Sequence, residues 1–135
     1  DNPLRNLILL VELVETAGQP QPLLAGPVIP AWGGIGDPAE GYYAGLPGVL
    51  YARILADFYT GETPTYAYWR QTRLVSDNRI PALATDESTY TFVVGDGPVT
   101  VRAELVLRRA FIDLMAVKGW DTPDRLMTRT EVTLP

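Results

Sequence analysis

The residue types that most often carry catalysis are missing from this chain. Its 135 residues include no cysteine and no histidine. Those two side chains supply thiolate nucleophiles, imidazole bases, Cys/His zinc sites and the attachment of haem through C-x-x-C-H. Threonine is common and serine occurs at positions 76 and 88, but there is no histidine to activate them, and neither a G-x-S-x-G elbow nor a Ser-x-x-Lys pair occurs. We therefore expect no catalytic, metal or cofactor site, and a non-enzymatic domain.

Two pairs of carboxylates have spacings worth testing for chemistry. Asp86 and Glu87 are adjacent, but neighbours on an extended chain point to opposite sides, whereas glycosidase carboxylates must converge across a substrate. The favoured interpretation is a solvated segment before a strand, whose short polar side chains cap backbone groups.

Asp37 and Glu40 lie in a glycine-rich stretch and offer the oxygen ligands that calcium takes. Their spacing matches no EF-hand loop, so solvation is favoured and calcium in the 33–41 loop stays an open alternative.

Aromatic residues are the third group with a chemical use. Stacked rings on β-sandwiches often bind sugars, an inference by fold-level analogy. Trp and Tyr in loops and at strand starts more often close the ends of a core or face a neighbouring domain. The candidate residues are Trp32, Tyr42, Tyr43, Tyr66, Tyr68 and Trp69. The interaction surface that we predict consists of Trp32, Tyr42, Tyr43 and Trp69.

We expect β-strands to position these residues, because apolar and polar residues alternate along much of the chain. It predicts strands over 6–16, 49–58, 68–76, 89–94, 99–107 and 125–134. The runs on either side of Gly95-Asp96-Gly97-Pro98 predict an antiparallel hairpin. In its second arm, the residues expected to face the core are Val99, Val101, Ala103, Leu105 and Leu107, and those expected to face water are Thr100, Arg102 and Glu104.

One loop and one helix complete the predicted fold. Residues 19–48 are rich in Pro and Gly, which predicts a long irregular loop. Helical spacing over 109–118, with Lys118 in the last turn and Gly119 as a cap, predicts a short helix near the C-terminus. The whole pattern predicts a single all-β domain over residues 1–135. We expect an immunoglobulin- or fibronectin-III-like sandwich of two antiparallel sheets, with a barrel as the alternative.

Charge and hydropathy exclude two classes of partner. The net charge is −5 and the 11 basic residues are scattered, so a nucleic-acid partner is not expected. No apolar stretch approaches the roughly 20 residues of a membrane span. The chain begins at Asp1 without Met or a basic-then-apolar leader. We expect a fragment of a larger protein, with a mature chain whose signal peptide has been removed as the alternative.

The chain from Leu46 onward contains a series of short motifs. They are Gly45-Leu46-Pro47-Gly48 with YARIL at 51–55, Trp69 with RLVSDNRIP at 73–81, TDESTYTF at 85–92, VTVRAEL at 99–105 and LRRAF at 107–111. In these motifs the chain resembles the C-terminal β-sandwich module that follows the haem region in some multihaem c-type cytochrome family proteins of bacteria. The resemblance covers about two thirds of the chain. The resemblance implies an exported parent, with its haems upstream of Asp1, and a haem-free accessory domain.

The residues of the most specific motif also have a physical interpretation. Asp77-Asn78-Arg79-Ile80-Pro81 predicts a turn in which Asp77 and Asn78 satisfy backbone groups, Arg79 binds a nearby carboxylate and Pro81 ends strand pairing. Fold maintenance is the expected role of this segment.

Two functions follow as hypotheses. The first is an extracytoplasmic accessory module, in the periplasm or at the cell surface, that packs on a neighbouring and possibly haem-bearing domain of the same polypeptide through the Pro/Gly-rich loop over 19–48 and its aromatic residues. The second is a ligand-binding module, for carbohydrate above all. A packing surface should be a flat apolar patch, whereas a sugar site needs exposed parallel rings rimmed by hydrogen-bonding groups.

Overall fold

A computed structural model describes residues 4–16 and 18–135, which form mostly antiparallel β-structure. Two 3-10 turns, Ala31–Gly33 and Pro38–Glu40, lie in the long segment between the second and third strands. The predicted first strand, last strand and short helix are confirmed. The elements are β1 (Asn6–Glu15), β2 (Leu23–Ala25), β3 (Gly48–Tyr51), β4 (Arg53–Asp57), β5 (Thr72–Asp77), β6 (Thr91–Phe92), β7 (Val99–Arg108), α1 (Ile112–Lys118) and β8 (Arg125–Leu134).

The largest sheet has four antiparallel strands in the order β3-β1-β7-β8. Its two central strands, β1 and β7, pair over all ten residues, from Asn6 opposite Arg108 to Glu15 opposite Val99. β1 buries apolar side chains on both of its faces, Ile8 on one and Val11 and Leu13 on the other, which explains its near-continuous apolar run. β8 pairs with the other side of β7, with one register shift beside Met127.

The predicted strand over 49–58 divides at Ala52. Its first part, β3, pairs with β1, and its second part, β4, pairs with β5 in a separate two-stranded sheet. The side chain of Asn78 holds the dividing point: its amide donates to Leu50 O at 2.9 Å, and its oxygen accepts from Ala52 N at 2.8 Å. One chain thus passes from one sheet to another without leaving backbone groups unsatisfied. The backbone role predicted for Asn78 is confirmed.

The neighbouring residues of that turn are also confirmed in their predicted roles. Arg79 donates to both carboxylate oxygens of Asp77, at 2.8 and 2.7 Å, and its backbone N–H donates to the same carboxylate at 3.2 Å. The hydrogen bonds from the Arg79 side chain are the largest cause that lowers the pKa of Asp77 to about 2. β5 begins only at Thr72, so residues 68–71 belong to the preceding loop instead of the predicted strand.

The predicted hairpin across Gly95–Pro98 is wrong. β6 pairs with β2, with Phe92 opposite Leu23, while β7 pairs with β1 and β8. The Gly-Pro segment links β6 to β7 without pairing them. A reversal signal specifies a bend, but the ten-residue apolar β1 offers β7 a longer partner than β6 does.

Val11, Leu13 and Val99 are buried on one face of the four-stranded sheet, but the main core cluster lies on the other, the face of the even-numbered residues of β1 and β7, such as Ile8 opposite Val106. We call this the core face and the opposite one the outer face. The buried core residues are Ile8, Ile29, Leu50, Ala52, Ile54, Val106, Ala110, Phe111, Leu114 and Met115. They come from the sheet, from β4, from α1 and from the segment before β3.

The predicted orientation of β7 is therefore wrong for most of its residues. Val99 is buried, but Val101, Ala103, Leu105 and Leu107 lie on the outer face and are half-buried. Thr100, Arg102 and Glu104, expected to face water, lie half-buried on the core face, at the end away from the core cluster. Alternation alone did not identify the core because Arg108, a charged residue, occupies a buried core-face position.

The helix α1 packs on the core through Leu114 and Met115, as its spacing predicts. Lys118 lies in its last turn, and Gly119 adopts the left-handed conformation at φ 65°, with its N–H bonded to the helix carbonyls. No helix in the described part of the chain is long and apolar enough to cross a membrane.

The segment 19–48, predicted as irregular, holds β2 and two 3-10 turns between irregular stretches. At its end, the chain passes so close to β1 that a Cβ at Gly48 would lie 1.9 Å from Leu9 O. Only glycine fits there, and its φ of 154° is also one that other residues rarely adopt. The mostly-strand architecture, with several antiparallel sheets and one short helix among the described residues, is consistent with a β-sandwich.

Candidate functional site

The most exposed aromatic side chains lie in the loop that joins β4 to β5, residues 58–71, which we call the aromatic loop. Phe58 contacts Tyr59 edge to face, with ring centroids 5.3 Å apart. Tyr68 contacts Trp69 in the same way, at 5.5 Å and an interplanar angle of 76°. The exposed fractions are 53% for Phe58, 73% for Tyr59, 71% for Tyr68 and 73% for Trp69. Four large rings thus face solvent on a single loop.

A buried carboxylate fixes the shape of this loop. Asp57, at the end of β4, is 1% exposed and accepts the backbone N–H groups of Tyr59 at 2.8 Å and Thr60 at 3.0 Å. Arg70 approaches the second carboxylate oxygen at 3.1 Å from the far end of the loop. The hydrogen bond from Thr60 is the largest cause that lowers the pKa of Asp57, with Tyr59 and Arg70 adding to it. The aromatic loop is therefore held at both ends by one charge.

Three of the four residues predicted for the interaction surface lie in a different place. Residues 31–43, which we call the inner loop, carry Trp32, Tyr42 and Tyr43, and all three are half-buried. Trp32 and Tyr43 pack against the core cluster. Tyr42 covers the loop glycines, since a Cβ at Gly36 would lie 2.9 Å from its ring. Of the predicted set, Trp69 belongs to the aromatic loop, so the structure does not bring the four residues together.

The inner loop is held by Arg108, which is 1% exposed at the end of β7. Its Nε and Nη2 donate to the two oxygens of Asp124 at 2.9 and 2.6 Å, and Nη2 also donates to Gly41 O at 2.7 Å. The guanidinium carbon lies 5.1 Å from the centroid of the Tyr43 ring. Bidentate pairing and a stacked ring are the contacts that make a buried arginine tolerable. Burial is the largest cause that raises the pKa of Tyr43, followed by the charge of Asp124.

A groove opens on the core face beyond the core cluster, with a volume of about 410 Å³. Ion pairs border it: Arg102 Nη1 lies 2.6 Å from Glu12 Oε1, and Arg102 Nε lies 2.9 Å from Glu131 Oε1. The apolar lining is Leu10, Val11, Pro20, Pro38, Tyr43, Leu46, Pro47 and Phe92. An apolar floor with a few polar groups at the rim is the usual make-up of a small-molecule site.

The two carboxylate pairs have structural contacts. Asp86 accepts the hydroxyl of Tyr51 at 2.5 Å, and this bond adds to burial, the larger cause, in raising the pKa of Tyr51. Glu87 is exposed. Asp37 caps the second 3-10 turn by accepting the N–H of Ala39 at 2.9 Å. Among the described residues, no group of three or more acidic, Cys or His side chains is placed to hold a metal ion.

Sequence reasoning missed the residues that organise both loops. The sequence pattern predicts Phe58 only as the end of a strand, and it indicates no role for Asp57 or Arg108. The alternation places Arg108 in the same phase as Val106, but it does not show that this phase faces the core. Tyr66, a candidate for the sugar platform, instead packs on Phe111 at 5.5 Å, and burial raises its pKa to about 12.

Comparison of the chain with protein-family models, with curated proteins and with solved structures finds no match.

Proposed function

We propose that this chain is a non-enzymatic accessory module of an exported, multihaem cytochrome-like protein, with an immunoglobulin-like sandwich fold. In this proposal it docks on a neighbouring domain of the same polypeptide, in the periplasm or at the cell surface, through the aromatic loop. The sequence resemblance is the basis for the parent protein. The exposed rings of Phe58, Tyr59, Tyr68 and Trp69 are the observation that carries the docking role.

The composition of the aromatic loop supports docking because Trp, Tyr and Arg are the residues that dominate binding energy at protein interfaces. Trp69 and Tyr68 are followed by Arg70, which is about half exposed. The ion pair between Arg70 and Asp57, together with the capped N–H groups, limits the conformations that this loop can adopt. A loop ordered before binding loses less entropy when it docks.

The geometry of the rings favours a packing surface over a sugar platform. Within each pair the rings meet edge to face, at 80° for Phe58 and Tyr59 and at 76° for Tyr68 and Trp69. A pyranose ring stacks parallel to an open aromatic face, whereas a protein partner can pack on aromatic rings at any angle. Docking on a protein domain is therefore the preferred role of this loop.

The first test is the parent polypeptide, whose mass and visible absorption report covalently bound haem. A haem-free parent overturns the cytochrome link.

In the parent, docking should slow amide hydrogen exchange over residues 58–71 relative to the 135-residue chain alone. The double variant Tyr68→Ser/Trp69→Ser should remove this protection, while Val117→Ser, which changes an 82% exposed residue on α1, should leave it unchanged. Equal exchange in parent and isolated chain contradicts docking through this loop.

The groove supports a second candidate function, the binding of a neutral carbohydrate. Tyr43 and Phe92 provide rings, and Glu12, Gln21, Arg102 and Glu104 provide hydrogen-bonding groups around a volume of about 410 Å³. Calorimetric titration with neutral oligosaccharides tests this directly. Binding should be lost in Phe92→Ala and retained in Trp69→Ala, and loss in Trp69→Ala instead would place the sugar on the aromatic loop.

A further inference from the structure

The strand β8 forms one edge of the four-stranded sheet. Its ten residues, Arg125–Leu134, are all exposed, and in the described part of the chain β8 pairs with β7 alone. An edge of this length offers a row of backbone N–H and C=O groups to another strand. Proteins usually protect such edges with Pro, with charged side chains, especially Lys, with bulges or with short strands. β8 is ten residues long and has neither Pro nor Lys, and its charged residues, Arg125, Arg129 and Glu131, are of both signs. Its one irregularity, beside Met127, lies near the start of the strand and leaves the rest straight.

The charges of β8 are arranged for pairing with a second copy of the same strand. Arg129 and Glu131 lie on the same face, on either side of Thr130, with Arg129 Nη2 3.0 Å from Glu131 Oε1. When two identical strands pair antiparallel about a two-fold axis, the residue at the axis faces itself and its two neighbours face each other. An axis at Thr130 therefore places Arg129 opposite Glu131 of the other copy, twice.

Other registers are less favourable. An axis at Arg129 or at Glu131 brings like charges directly opposite each other, which destabilises a sheet. An axis at Thr128 places Met127 opposite Arg129 and puts the register shift inside the new ladder. Only the axis at Thr130 combines two opposite-charge pairs with regular strand over the central residues 128–132.

The same register covers apolar surface that is otherwise open. Val132 is 51% exposed and stands opposite Thr128 of the other copy, so each side chain shields its neighbour. The outer faces of the two sheets then join, because a two-fold axis perpendicular to a sheet keeps each face on its own side. We propose that β8 is a self-association strand, and that two copies of this chain pair antiparallel through β8 about an axis at Thr130 to form one eight-stranded sheet.

A single engineered cysteine tests the register, because the chain has no cysteine of its own. In the proposed dimer, the two copies of residue 130 are directly opposite, within the range of Cα separations that a disulfide spans. The two copies of residue 128 are about 14 Å apart, beyond that range. Under mild oxidation, Thr130→Cys should therefore form a linked dimer roughly tenfold faster than Thr128→Cys. Equal rates for the two variants overturn the proposed register.

Charge reversal tests the pairing without a cysteine. Sedimentation of the 135-residue chain should show a concentration-dependent dimer, and Arg129→Glu or Glu131→Arg should each raise its dissociation constant by about tenfold or more. An equimolar mixture of these two variants should restore the dimer, since each glutamate then faces an arginine. Glu87→Arg, an exposed change outside β8, is the matched control. Restoration on mixing also shows that both variants are folded, and a chain that is monomeric at every concentration overturns the proposal.

Discussion

Two loops of this molecule are anchored in the same way, but the aromatic rings of one face the core and those of the other face solvent. Each is held by one buried charge at the end of a strand: Arg108 of β7 for the inner loop and Asp57 of β4 for the aromatic loop. The inner loop turns its rings toward the core, where Tyr43 lies against Arg108. The aromatic loop turns Tyr68 and Trp69 toward solvent. The comparison teaches that the aromatic content of a loop does not distinguish rings that pack on the core from rings that face solvent.

The largest expected effect comes from removing the anchor of the inner loop. Arg108→Leu leaves the Asp124 carboxylate without its ion pair and Gly41 O without its donor, and breaking a buried pair costs about 3–5 kcal/mol. Urea unfolding followed by circular dichroism measures this loss. Arg109→Leu is the control, because Arg109 is exposed and its stacking on Trp120 contributes about 1 kcal/mol or less. Equal losses in the two variants would remove Arg108 from its role as anchor.

A matched pair of tryptophan variants tests the difference between the two loops directly. Trp32→Ala removes a ring that packs on the core and should lower the free energy of unfolding by about 2 kcal/mol. Trp69→Ala removes a ring that is 73% exposed and should change stability by about 0.5 kcal/mol or less. The same denaturation curves give both values, and a reversed order would mean that the aromatic loop is part of the folded core.

Acid should release the aromatic loop. The pKa of Asp57 in the folded chain lies below its ordinary value of 3.8, so its ionised form stabilises the fold. That stability is present above about pH 3.8 and is lost as the pH falls through the lower folded pKa. Amide exchange over residues 58–71 should accelerate as the pH falls through this window. Asp57→Asn should exchange fast at neutral pH without this acid response, and Asp96→Asn, at an exposed position, should behave like the unmodified chain.

The smallest effect is expected at a second arginine on the core face of β7. Arg102 is partly exposed and pairs with Glu12 and Glu131 at the open end of that face, so water screens its charge. Arg102→Leu should lower the unfolding midpoint several-fold less than Arg108→Leu does. The remaining effect should shrink further at high salt, which screens exposed pairs far more than buried ones. A salt-independent loss as large as that of Arg108→Leu would mean that Arg102 is a second anchor.

Elements with local signals were predictable from the sequence, and their partners were not. The helix α1 ends at Gly119 because its cap is made within one turn, and the turn at Asp77 and Asn78 is held by bonds between near neighbours and one strand. The hairpin across Gly95–Pro98 failed because strand pairing is decided between distant segments. Likewise, the alternation of β7 gave two faces correctly but not which of them carries the core.

What the sequence determined by itself is the mostly-strand character, the bounds of β1 and β8, the short helix and the absence of thiol and imidazole chemistry. These follow from composition and from periodicity within a few residues. Tertiary structure decided which aromatic rings are exposed and which charges are buried. Arg108 is stable inside because Asp124 and Gly41 O, both distant in sequence, meet its guanidinium. Contacts of that kind arise only when the chain is folded, so no local pattern encodes them.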